Sequence, residues 1–382
     1  MANVSNASSL LASSCPIAQS IATTVHFKLS VILESICGGY AFLSNLLLLI
    51  VGWRVMVFPS NLRLLLGHLS FILAWYGLGG LMKGVYLLDT PVCDLVMTIR
   101  DCRIFDVATT NIAIVAMFFS LSAVCVERLY ATLRYRRYAH TGSKGTPWLA
   151  IVAIAIIWTA ALAFNFSGFT QIPASLTPLC DSSVFAPKSA IAPYLILYLI
   201  LETLALFETI FIYVFNKHTL KTMVINRALY DLSSRFQVDQ NVQVNEVMMP
   251  SMALHLLCFV PNYALMLLFF DFDLSYGTKA TLLHISYLWR QIYAGAHPTL
   301  AFALNNHLKH HLDQNVVGRL MAAAGLKIVK KAKTADVGSR SKKEGDAHFK
   351  HLEDMWSGQI PIPAAPMRKV IRPVGYTIET SL

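Results

Sequence analysis

Glu127 and Arg128 stand side by side where one long apolar stretch of the chain ends, in the run Glu127-Arg128-x-x-Ala131-Thr132. A carboxylate can hold a neighbouring guanidinium in a local pair, and release of that pair frees the cation for a partner. This is the bistable chemistry a switch requires. A second set of polar groups lies inside apolar stretches: Glu34, Lys83, Asp106, Glu202, Glu208, His255, Asn262, His284 and Arg290. Ionisable side chains are costly in lipid and mark cavities or functional paths. By depth, Glu34 and Lys83 are expected to pair. Arg290 is the most deeply placed cation and needs an anion, for which Glu202 is the candidate. Lys83, Asp106, Glu202, Asn262 and His284 are expected to ring a pocket. No catalytic set accompanies them: there is no Gly-rich phosphate loop, no His-Glu-x-x-His and no Cys-x-x-Cys. The expectation is a non-enzyme with no cofactor and no metal site. His307, His310 and His311 have metal-like spacing but no Cys or acidic partner close by, so they read as an exposed helix face.

The elements that must position these groups follow from composition. The 382 residues are 55% hydrophobic and 14% charged, with mean hydropathy +0.55. Soluble domains carry roughly 25% charged residues, so the apolar excess belongs in lipid. Seven apolar segments lie near residues 29–58, 63–88, 104–129, 147–169, 191–215, 248–271 and 279–304. Each is long enough to cross about 30 Å of hydrocarbon as a helix. Such a chain satisfies its backbone internally as helices. The expected fold is all-α, a seven-transmembrane bundle over 29–304. Residues 1–28 would form an extracellular N-terminus, 305–333 an amphipathic juxtamembrane helix, and 334–382 a disordered basic cytosolic tail.

Orientation follows the positive-inside rule. With the N-terminus outside, the cytosolic loops hold eleven Lys and Arg residues against five in the outer segments, before the basic tail is counted. That asymmetry accounts for the formal charge of +10 without a nucleic-acid partner. Residues 1–27 hold no Lys or Arg, so the first apolar stretch reads as an uncleaved anchor, not a signal peptide. Asn3 and Asn6 begin tandem glycosylation sequons, consistent with an outer N-terminus. The sequon at Asn165 sits in or beside an apolar run and is set aside.

Past the last span, Leu308, Leu312, Val316 and Leu320 recur every fourth residue, the pattern of a helix lying on the membrane. Lys327, Lys330, Lys331 and Lys333 would draw anionic lipid to it. The final Glu379-Thr380-Ser381-Leu382 fits a ligand for a PDZ domain.

Of seven cysteines, Cys37, Cys125 and Cys258 fall in spans as small hydrophobes. Cys15, Cys93, Cys102 and Cys180 all fall on the expected outer, oxidising side. Four cysteines allow three connectivities. Cys102 begins span three and Cys180 lies in the second outer loop, which favours a bridge pinning that loop over the bundle mouth. The pairing of Cys15 with Cys93 stays open.

Cys102 precedes Arg128 by 26 residues, a Cys-to-Arg spacing similar to that of rhodopsin-like G-protein-coupled receptors. Further motifs are Tyr138, the block Leu232-Ser233-Ser234-Arg235-Phe236-Gln237 followed by Asn241, the pair His297-Pro298, Cys15-x-x-Ala18 and Cys93-Asp94-Leu95. Together they resemble the nematode serpentine chemoreceptors of the alpha group, most closely class alpha/beta, with class epsilon as the rival. The similarity covers roughly residues 15–305. It implies a plasma-membrane sensory receptor, of the kind found in sensory cilia, that binds a small-molecule or peptide ligand outside and activates a heterotrimeric G protein inside. Glu127 and Arg128 then take the acidic-Arg place at the G-protein face. Pro261 and Pro298 fall where receptor helices bend.

The sequence also departs from these patterns. It has no Asp-Arg-Tyr, no Asn-Pro-x-x-Tyr and, in span six, Cys258-Phe259-Val260-Pro261. Tyr138-Ala139 and Gln240-Asn241 lack the Glu common at those points in the alpha group. A seven-span ligand-gated channel or transporter is the alternative; transporters often carry internal repeats, and none is evident here.

Overall fold

Among the described residues, the apolar runs fold into seven long helices, because only a helix closes every backbone hydrogen bond within its own segment. The computed structural model describes residues 14–54, 59–135, 148–166, 176–177, 180, 188–225, 232–272, 274–305, 308 and 312. A short helix α1 (14–23) leads into α2 (Val25–Arg54) and α3 (Ser60–Asp89). Next come α4 (Ile99–Leu133), α5 (Trp148–Phe166), α6 (Lys188–Ile225), α7 (Leu232–Asp271) and α8 (Tyr276–Leu304).

Six of the long helices are apolar enough to cross a membrane on composition alone, making this a multi-pass membrane protein. The seventh, α8, has the length but carries Lys279, His284, Arg290, Gln291 and His297. Its His284, Arg290, Gln291 and His297 are buried, while Tyr276, Ile292 and Leu304 are exposed. The polar groups of its middle and final turns thus lie inside the bundle, beside buried Leu283, Tyr293 and Ala294.

The centre is α3 and α4, whose apolar windows are 61% buried, against 17% in α6. On the periphery, α5 and α6 present Trp148, Leu149, Ile156, Leu204, Phe207 and Phe211 outward. Helix α2 packs along α3 and α8, and α7 packs between α8 and α6. A central apolar cluster includes Leu65, Leu69, Ile72, Val115, Phe118, Leu121, Met252 and Phe259.

The α2–α3 crossing depends on glycine. A Cβ on Gly77 would lie 2.6 Å from the Phe42 amide nitrogen and 2.7 Å from the Gly38 carbonyl oxygen. Both neighbours are backbone, so neither can rotate aside. Gly77→Val is expected to cost about 1–3 kcal/mol through overpacking. Thermal unfolding of the purified protein measures this, and an unchanged midpoint would show that the crossing tolerates a side chain.

Several helices outrun their hydropathic segments. Helix α4 begins at Ile99 and α7 begins at Leu232, well before residues 104 and 248. Helix α6 continues to Ile225 instead of ending near 215. Hydropathy marks the stretch that matches lipid, whereas a helix continues through polar residues as long as its backbone pairs. The chain is also not wholly helical. Met97–Thr98 pairs antiparallel with Leu176–Thr177, in register Met97↔Thr177 and Thr98↔Leu176.

At this end of the bundle Cys102 is bridged to Cys180 and Cys15 to Cys93, with Cα separations of 5.1 and 5.0 Å. Thr98 closes the first turn of α4: its Oγ1 accepts from the Asp101 amide at 3.1 Å and donates to Asp101 Oδ2 at 2.7 Å. At the opposite end Leu308 is buried against Leu48, Val51 and Ala301, and its amide donates to Asn305 Oδ1 at 3.1 Å. The first residue of the expected juxtamembrane stripe therefore docks on the bundle. Val316 and Leu320, the sequons at Asn3 and Asn6, His307, His310 and His311, Tyr138 and the tail from 334 lie outside the described residues.

Candidate functional site

Among the described residues, the buried Lys, Arg, Asp and Glu side chains fall toward the two opposite ends of the bundle. Near the disulfide end, α3 and α4 meet around Lys83 and Asp106. Lys83 Nζ lies 3.1 Å from Asp106 Oδ1, and both side chains are almost fully buried. Asp106 also accepts from Thr110 Oγ1 at 3.0 Å and Asn111 Nδ2 at 2.9 Å.

This geometry comes from a π-helical segment, Val107–Asn111, within α4. The wider turn brings the residue five positions on, Asn111, back beside Asp106. Insertions of this kind recur at functional sites. Here the bulge presses toward α3: the Trp75 indole donates to the Ala108 carbonyl at 2.9 Å. A Cβ on Gly79 would overlap the Thr109 carbonyl, so only glycine fits.

Helix α8 supplies the facing wall. His284, Tyr287, Arg290 and Gln291 recur at helical spacing on its buried face. His284 Nδ1 lies 2.6 Å from Glu34 Oε2. Lys83 Nζ sits 4.8 Å from the Tyr287 ring centroid and the Arg290 guanidinium 4.5 Å from the same ring, so two cations share one aromatic. Arg290 Nε donates to Asn262 Oδ1 on α7 at 2.9 Å.

Deeper, Glu202 Oε1 accepts from Tyr263 Oη at 2.7 Å and faces His255 Nδ1 at 3.6 Å. Phe118, Tyr198, Phe259 and Tyr293 surround this group. A cavity of about 10 Å³ lies against Glu202 and His255, about the size of one water. At the disulfide end, a groove of about 480 Å³ runs between α1 and the start of α8, lined by Ile17, Ser20, Thr24 and Tyr276.

Two pairings differ from the sequence-based expectation. Lys83 pairs with Asp106, not Glu34, and Glu34 with His284. Arg290 meets Asn262 and Tyr287, not Glu202. Rotation about the helix axis, which spacing along the sequence does not give, chose the partner in each case. Of the five expected pocket residues, Lys83 and Asp106 touch each other, while Asn262 and His284 join the same wall through Arg290 and Glu34. Glu202 forms a separate deeper group with Tyr263 and His255. Glu34, Tyr287, Arg290, Thr110 and Asn111 belong to the site although they were not counted in the ring. The i, i+3, i+6 recurrence of His284, Tyr287 and Arg290 was a usable signal. The π bulge left no pattern to read.

At the other end, Arg128 is 3% exposed. Its Nε and Nη2 donate to Glu127 Oε2 and Oε1 at 2.5 and 2.7 Å. Its Nη1 reaches Asn241 Oδ1 on α7 at 3.2 Å, and Gln237 Nε2 donates to the same oxygen at 3.2 Å. Gln237, the last residue of the Ser-x-Arg-Phe-Gln block, and Asn241 are therefore on the α7 side of a contact with Arg128. One turn beyond Arg128, Asn216 Nδ2 on α6 donates to Thr132 Oγ1 at 2.9 Å. Three helices are thus tied by side-chain hydrogen bonds at one level. Among the described residues no group of three or more His, Cys, Asp or Glu could hold a metal ion.

Comparison with known proteins agrees with this architecture. The family described as serpentine type 7TM GPCR receptor class ab chemoreceptor matches residues 12–323. The chain is also 23% identical over 322 residues to serpentine receptor class alpha/beta-14 of Caenorhabditis elegans, covering 78% of this chain and 80% of that protein.

Proposed function

Because this chain belongs to the class ab family of serpentine seven-transmembrane chemoreceptors, we propose that it is a plasma-membrane receptor that binds a small external ligand and activates a heterotrimeric G protein. The observation that carries this reading is the buried Arg128, held by Glu127 and linked across to Asn241 on α7. A guanidinium satisfied in this way is kept from any partner. Separation of α7 from α4 would break the Asn241 bond and open that end of the bundle, and a ligand need only favour the open arrangement to shift the population.

The disulfide end is then extracellular, since disulfides persist in oxidising surroundings. The Arg128 end is cytosolic, in keeping with the Lys and Arg asymmetry of the loops. Ligand would enter by the groove beside α1 and reach the Lys83, Asp106, Asn262, His284 and Glu202 layers. Glu127, Arg128 and the start of α7 would meet the G protein.

The test compares two variants in a G-protein nucleotide-exchange assay at matched surface expression. Arg128→Ala removes the cation and is expected to abolish agonist-stimulated exchange. Asn241→Leu removes only the restraint and is expected to raise ligand-independent exchange several-fold. Full signalling by Arg128→Ala, or unchanged basal exchange in Asn241→Leu, would exclude the assigned role.

A further inference from the structure

Among the described residues, the buried charged side chains of the extracellular half each have a matching partner, with one exception. Lys83 is matched by Asp106 and Glu34 by His284. Glu202, the remaining buried acid, lies deeper and is taken up by Tyr263 and His255. Arg290 is left over. It is only 8% exposed, yet among the described residues no carboxylate lies within ion-pairing distance of it. Its Nε reaches the neutral amide of Asn262 and its plane lies over Tyr287. Neither Nη1 nor Nη2 donates to any described residue. An isolated buried cation is expensive, and membrane proteins keep such groups where they serve a path or a ligand. Asn262 and Tyr287 fix the guanidinium from one edge and one face. The free edge is the two-donor fork that matches a carboxylate in a bidentate pair.

Resting on the receptor reading above, we infer that the external ligand carries a carboxylate and that Arg290 is the residue that receives it. A neutral amide of the same shape accepts with one oxygen and brings no charge, so it should be discriminated against strongly. The aromatic surroundings, Tyr287 and Tyr263 among them, suit a ligand with a short apolar body behind the acid.

The test needs no agonist. Purified receptor is titrated with butyrate and benzoate, and in parallel with butyramide and benzamide, at constant ionic strength set with sodium chloride, while the thermal midpoint is followed. A ligand that binds only the folded state raises that midpoint saturably. The acids are expected to do so and the amides are not. Arg290→Gln should weaken the acids by about 30-fold or more, the usual scale for truncating one side of a buried charge pair. Arg290→Lys should bind with intermediate strength, because it keeps charge without the fork, and it serves as the readout if Arg290→Gln does not fold.

Equal shifts from acids and amides overturn the inference. So do an acid shift that survives in both variants, a shift reproduced by chloride alone, or no acid shift up to 100 mM. Failure here with Arg128-dependent exchange intact removes only the carboxylate assignment. Acid binding by a chain that never drives exchange removes the receptor reading and keeps the anion site.

Discussion

Lys83→Met should destabilise the protein by about 3–5 kcal/mol, the usual cost of stripping one partner from a buried ion pair. Lys83 and Asp106 are 1% and 0% exposed, so water cannot replace the lost cation. Thr110 and Asn111 still donate to Asp106, but hydrogen bonds from neutral groups do not balance its charge. The loss would also free Tyr287 from one of its two cations. The expected result is a large fall in thermal midpoint and in the fraction reaching the cell surface. Lys83→Met combined with Asp106→Asn removes both charges and should recover much of the loss, since a neutral replacement of a buried pair is often tolerated. If the double variant is no better than the single one, the ion pair is not what holds α3 to α4.

Loss of the Cys102–Cys180 bridge should be of comparable size. The bridge spans 78 residues, and closing a loop of that length restrains the unfolded chain by about 4–5 kcal/mol in the chain-entropy account. Both cysteines are buried, and the Met97–Thr98 pairing with Leu176–Thr177 lies beside them. Four hydrogen-bonding residues cannot hold that connection alone. Cys102→Ser and Cys180→Ser, singly and together, are therefore expected to lower the thermal midpoint equally, because either change opens the same loop. Unequal effects would mean that one thiol has a role beyond the bridge. Reducing agent should lower the midpoint of the native protein further than the double substitution does, since it opens Cys15–Cys93 as well as Cys102–Cys180.

The helices were legible because each crossing imposes a length of apolar sequence, and Ile, Leu, Val and Phe supply it without regard to neighbours. Helix α8 shows the limit of that signal: His284, Arg290, Gln291 and His297 lower its hydropathy, yet the helix packs in the bundle because those groups face inward. The Glu127-Arg128 pair was legible as well, since adjacent residues need no tertiary fold to meet. Its link to Asn241 was not, because 113 residues separate Arg128 from Asn241. The motif that contains Gln237 and precedes Asn241 marked the right segment of α7 without saying which residue it would face.

Sequence by itself determined the class of molecule, the apolar helices, and the place of each polar side chain along its helix, since that place follows from counting residues at a fixed rise. Only the tertiary structure decided which polar groups meet. Lys83 met Asp106 because a π bulge in α4 turned that carboxylate toward α3. Glu34 then went to His284, and Arg290 was left with Asn262 and Tyr287. A helix offers several residues at nearly the same depth, and its rotation, set by packing against every neighbour at once, selects the one that faces the core.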